Sequence, residues 1–89
     1  MEKEYYINIS SKILHNRSLK PNSKILYGEI VRLSQKNGYC YASNKYLGEL
    51  LDIKEKSVSR LLKELKDSGL IKSEEVIECG VTKRYLYII

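Results

Sequence analysis

Apolar residues recur at helical spacing in three stretches of the chain and then give way to β-type alternation. The clearest stretch runs from 54 to 70. At 100° per residue, Val58, Leu61, Leu62 and Leu65 fall on one side of a helix. Lys56, Arg60 and Lys63, spaced i, i+4 and i+7, fall on the other side with Ser59 at their flank. Gly69 follows the last periodic residue, where a left-handed residue ends a helix, and Leu70 is placed to fold back onto it. Upstream, Pro21 stands at a first helical position and Leu26, Ile30 and Leu33 form a central stripe, widened by Ile25, Tyr27 and Val31. Asn37-Gly38 supplies the stop, so the spacing predicts a helix of about four turns. Gly28 inside it costs roughly 1 kcal/mol relative to Ala, which predicts close approach by a neighbouring element. Ser43 caps a further helix from about Asn44 to Leu51, with Leu47, Leu50 and Leu51 facing one way.

The remaining segments read as β or loop. Tyr5 to Ile9 is a short strand or extended lead-in, and Ser10 or Ser11 caps a brief helical turn carrying Ile13 and Leu14. Asn16 to Lys20 is a loop. Tyr39-Cys40-Tyr41 has the preference of a very short strand. Leu70 to Glu78 and Lys83 to Ile89 form a hairpin with its tip near Cys79-Gly80-Val81-Thr82. Asp52-Ile53-Lys54 separates the two shorter helices. Two helices across such a turn, the second with a cationic outer face, make a helix-turn-helix, and the hairpin that follows is its wing. The expected class is α+β, mainly α: a winged helix-turn-helix of three to four helices with a small antiparallel β-wing, in one domain over 1–89.

Composition sharpens this. The 89 residues are 43% hydrophobic and 30% charged, enough for one modest core. The formal charge is +5, and the window from Lys54 to Lys66 holds five cations against two anions. Such a balance favours an anionic partner. Duplex DNA fits better than a membrane surface, because the basic helix has too few large apolar residues to insert. No run of 18 apolar residues exists and Met1-Glu2-Lys3-Glu4 opens no signal peptide, so a cytoplasmic protein is expected. Cys40 and Cys79 lie far apart, and His15 is the single histidine. They read as free thiols and a loop residue, so neither a metal nor a cofactor is expected. No phosphate-binding loop or nucleophile-base motif appears, and Glu74, Glu75 and Glu78 on a wing strand are most simply solvated. Catalysis is therefore not expected.

A cationic helix face often serves only solubility; the turn before it and the wing after it favour DNA. Ser57, Ser59, Arg60 and Lys56 would approach bases, with Arg60 bidentate to guanine. Lys54, Lys63, Lys83 and Arg84 would grip phosphates. Lys54 stands where Ser or Thr usually caps such a helix, a loss of about 0.5–2 kcal/mol that a phosphate contact would offset. The other reading is a protein-docking or dimerisation module, since eight tyrosines without Phe or Trp suit a contact surface.

Ser57-Val58-Ser59-Arg60-Leu61-Leu62-Lys63-Glu64-Leu65, followed by Ser68-Gly69-Leu70-Ile71, resembles the recurring pattern of winged helix-turn-helix domains. Tyr5 to Ile9, Pro21 to Ile30 and Gly38 to Leu47 are similar to the N-terminal domains of replication initiators, both plasmid (RepA N-terminal type) and phage replisome organisers of low-GC Gram-positive bacteria. The resemblance implies origin or operator binding through the recognition helix, often as a homodimer and together with replication proteins. It also implies that other activities sit in a separate C-terminal region, making this the N-terminal part of a longer protein. A free-standing transcription regulator is the alternative.

Overall fold

The computed structural model describes His15, Arg17 and residues 19–89. The expected strand at Tyr5 to Ile9 and the turn carrying Ile13 and Leu14 lie outside the described residues. Helices α1 (Pro21–Ser34), α2 (Asn44–Leu51) and α3 (Glu55–Asp67) lead into strands β1 (Ile71–Glu78) and β2 (Val81–Ile88). This is the expected winged helix-turn-helix, with three helices among the described residues.

Pro21 opens α1, where its fixed φ is pre-organised and its missing N–H is one no helix would use. The Gly38 amide, in a left-handed residue (φ 83°), donates to the Ser34 carbonyl at 2.8 Å and ends the segment. The buried line of α1 is Ser23, Leu26, Ile30 and Ser34, with Gly28 also buried. That line is narrower than the expected stripe. Tyr27 and Leu33 pack at the core's edge, but Ile25 is 42% exposed. Two serines can occupy buried positions because each hydroxyl has a partner: Ser34 donates to the Ile30 carbonyl at 2.6 Å, and Ser23 donates to the Glu64 carboxylate of α3.

Ser43 caps α2 as expected, its Oγ accepting the Tyr46 amide at 3.1 Å. Leu47 is fully buried, whereas Leu50 is 38% exposed and so falls off the expected apolar side. The α2–α3 turn is the tightest place in the domain. Asp52 is left-handed (φ 58°), and the Ile53 amide donates to the Gly48 carbonyl at 2.9 Å. A Cβ at Gly48 would stand 2.7 Å from the Ile53 carbonyl oxygen. Only glycine lets the turn lie that close.

Helix α3 is the hub, touching α1, α2 and β1. Val58, Leu61, Leu62 and Leu65 are all buried, each contributing about 1.5–3 kcal/mol through burial. The hairpin pairs Ile71 with Ile88 at its base and Glu78 with Val81 at its tip. Cys79 and Gly80 make the turn, both with positive φ (51° and 76°), the geometry of a two-residue type I′ loop. The tip is thus tighter than expected, and Val81 and Thr82 belong to β2. Cys40 and Leu86 exchange amide–carbonyl bonds of 2.8 Å, so the expected strand over Tyr39–Tyr41 shortens to a single bridge at Cys40 beside β2. Cys40 is buried, and that burial raises its thiol's pKa, whereas Cys79 is exposed.

Candidate nucleic-acid interface

The outer face of α3 is built from residues the core does not use. Lys56, Ser59, Arg60 and Lys63 are exposed, and Ser57 is half-buried at the side. Among the described residues, no hydrogen bond or ion pair engages Lys56, Ser57 or Arg60. Lys63 pairs with Asp67 one turn on at 3.2 Å, but both side chains are largely exposed, so the pair contributes little. Lys54 occupies the cap position with extended backbone and makes no side-chain cap. Glu55 in the first turn supplies the negative charge that the helix dipole favours.

The wing is organised differently. Successive residues of a strand point to opposite faces, so Lys83 and Arg84 part company. Lys83 is exposed and its Nζ lies 3.3 Å from Glu78 Oε1; Tyr85 donates to the other Glu78 oxygen at 3.2 Å. Arg84 turns toward the body of the domain. Its Nη1 donates to Asn44 Oδ1 and its Nη2 to the Ala42 carbonyl, each at 2.7 Å. Burial lowers the pKa of this guanidinium, and the Glu75 charge opposes that shift. Arg84 is therefore half-buried and engaged within the domain, not displayed beside Lys83.

Asn44, the first residue of α2, joins the two regions, because its Nδ2 also donates to Ser59 Oγ at 3.0 Å. A chain of side-chain hydrogen bonds thus runs from the wing through the start of α2 to α3. Between the wing and the segment entering α2 lies a cleft of about 850 Å³, with Tyr39, Asn44, Lys83 and Tyr85 among its walls. Tyr39 stacks on Tyr85, ring centroids 4.3 Å apart, and also touches Tyr87 and Tyr41. Lys72 lies over the Tyr87 ring at 5.5 Å. Four of the six tyrosines among the described residues thus cluster on and beside β2, although Tyr41 remains 66% exposed.

Sequence reasoning missed Gly48, and it read Asn44 only as a helix start and Glu78 only as a solvated carboxylate. Nothing in the sequence marks Asn44 as more than a helix-start residue. The separation of Lys83 from Arg84, by contrast, follows from strand periodicity alone.

Two solved structures share this architecture. One, described as "N-Terminal domain of DNA binding protein", superposes with a TM-score of 0.73 at 23% identity, covering 97% of this chain and 75% of that one. The other, described as "Structure of Rep-DNA complex", gives 0.69 at 24% identity with the same coverages. At these identities the likeness is one of fold. No curated protein matches the sequence. A family model described as "Helix-turn-helix domain" (HTH_36) matches residues 16–71, which reaches from the segment before α1 to the start of β1, and the chain belongs to that family.

Proposed function

We propose that this domain binds duplex DNA sequence-specifically, by binding and not by catalysis. The observation that carries this reading is the outer face of α3. Lys56, Ser59 and Arg60 stand exposed on a helix whose other face is locked into the core. Side chains of that length and chemistry on a rigid helix suit a major groove. Arg60 takes the bidentate guanine contact, while Lys54, Lys63 and Lys83 meet phosphates. The finer assignment is recognition of a replication origin. It is supported by the sequence resemblance to replication initiators and by a fold shared with the protein of a Rep–DNA complex. An operator of a transcription regulator is the alternative. Among the described residues, no helix is long and apolar enough to cross a membrane.

The docking reading retains one specific observation: Ile77 and Val81 at the wing tip are 74% and 55% exposed. Fluorescence anisotropy against duplex DNA at several salt concentrations separates the two. DNA binding gives a steep log–log salt slope and tighter binding to repeats from the gene's own neighbourhood than to a random duplex. Absence of binding at low salt would leave the docking surface as the better reading.

A further inference from the structure

A guanidinium can only donate hydrogen bonds, so the Asn44 atom facing Arg84 must be the carboxamide oxygen. That contact fixes which way the amide lies and leaves its N–H₂ toward Ser59, 3.0 Å away. The Ser59 hydroxyl is then the acceptor in that bond. Ser34 donates its own proton to the carbonyl four residues back, but Ser59 makes no such bond among the described residues. Its hydrogen is left on an exposed side chain in the N-terminal half of α3, next to Arg60.

We propose that Asn44 is a specificity-determining positioning residue: held by Arg84, it takes a lone pair of Ser59 and leaves the hydroxyl proton available as a donor toward the DNA. This rests on the duplex-binding reading above. A donor at that point pairs with guanine O6 or N7, adenine N7 or thymine O4, and it disfavours cytosine, whose major-groove edge offers only a donor. The wing acts on sequence choice without touching the base, through Arg84 and Asn44. The carboxylate variant Asn44→Asp reverses the relay. An aspartate still accepts from Arg84 but also demands the Ser59 proton, so Ser59 would present its lone pairs outward and favour the amino groups of cytosine or adenine.

The test is selection of bound duplexes from a randomised pool by the full chain, run for wild type, Asn44→Asp and Ser59→Ala. Wild type should enrich one motif. Asn44→Asp should enrich the same motif except at a single position, where cytosine gains roughly tenfold relative to guanine or thymine. Ser59→Ala should lose preference at that same position only. A merely structural role would weaken binding evenly and leave the motif intact, and that outcome overturns the proposal. Because Ser59 is exposed, Ser59→Ala remains decisive even if Asn44→Asp fails to fold: an unchanged motif overturns the relay. If wild type enriches no motif, the sequence-specific reading itself falls, and the relay with it.

Discussion

Two cationic regions of this domain are linked through Asn44, and they are built in opposite ways. On α3, Lys56 and Arg60 are exposed and, among the described residues, have no internal partner. On the wing, Arg84 is bound by Asn44 and Ala42, and Lys83 faces Glu78. Helix α3 leaves Lys56 and Arg60 exposed, whereas the wing uses Arg84, one of its three cations, to hold the start of α2 in place. A count of lysines and arginines near a recognition helix therefore overstates how many can reach phosphates. What decides availability is the face on which each side chain emerges and the acceptors already waiting there.

The sharpest way to break this comparison is to truncate one arginine in each region. Arg84→Ala removes the donor to a backbone carbonyl and to Asn44, and leaving such acceptors unpaired costs about 1–3 kcal/mol in a urea melt. Arg60→Ala should leave the melt within about 0.5 kcal/mol of wild type. It should instead erase about 1–3 kcal/mol of discrimination at one base position. Equal destabilisation by both variants would show that the regions are not distinct. Gly48→Ala comes next, because it tests the turn that aims α3. A methyl 2.7 Å from a backbone carbonyl cannot be relieved by a side-chain rotation, so about 1–3 kcal/mol of stability should be lost with the base preference of the folded fraction unchanged.

Lys83 and Glu78 give a smaller effect, with opposite signs. Lys83→Ala should weaken binding to every duplex alike and flatten the log–log salt slope by about 0.9. Glu78→Gln releases Lys83 from a 3.3 Å pair between half-exposed groups, so it should tighten binding by up to about 1 kcal/mol at low salt and by nothing at high salt. If Glu78→Gln weakened binding, the carboxylate would be holding Lys83 toward the DNA and not away from it.

Much of this architecture is legible in the sequence because it rests on periodicity and punctuation. Val58, Leu61, Leu62 and Leu65 define α3 unaided, Ser43 and Pro21 mark helix starts, and the β-rich run after Gly69 announces a hairpin. Ile25 and Leu50 mislead because hydropathy tells how apolar a residue is, not which angular sector of its helix meets a neighbour. The burial of Ser23 and Ser34 is not legible there at all, because it depends on acceptors, one of them on another helix. The eight residues assigned to DNA divide along the same line. Those on α3 are placed by local spacing. Arg84 is placed by Asn44, forty residues away in the chain, and no local pattern encodes that contact.

The smallest effect expected lies at Asp52, where the turn before α3 carries an opposing charge. Its left-handed backbone (φ 58°) suits Asn about as well as Asp, so Asp52→Asn removes the charge and leaves the turn unstrained. Asp52 shares a groove with Lys45, Lys54 and Lys56 and with Glu49 and Glu55, so its carboxylate is one of three that repel any phosphate those lysines attract. Stability should stay within about 0.5 kcal/mol in a urea melt. Affinity should rise by less than about 1 kcal/mol at low salt, for all duplexes equally, because a phosphate-level repulsion carries no base information. A gain confined to one sequence would mean that Asp52 meets a base, and the readers of this domain would then extend from α3 into the turn that precedes it.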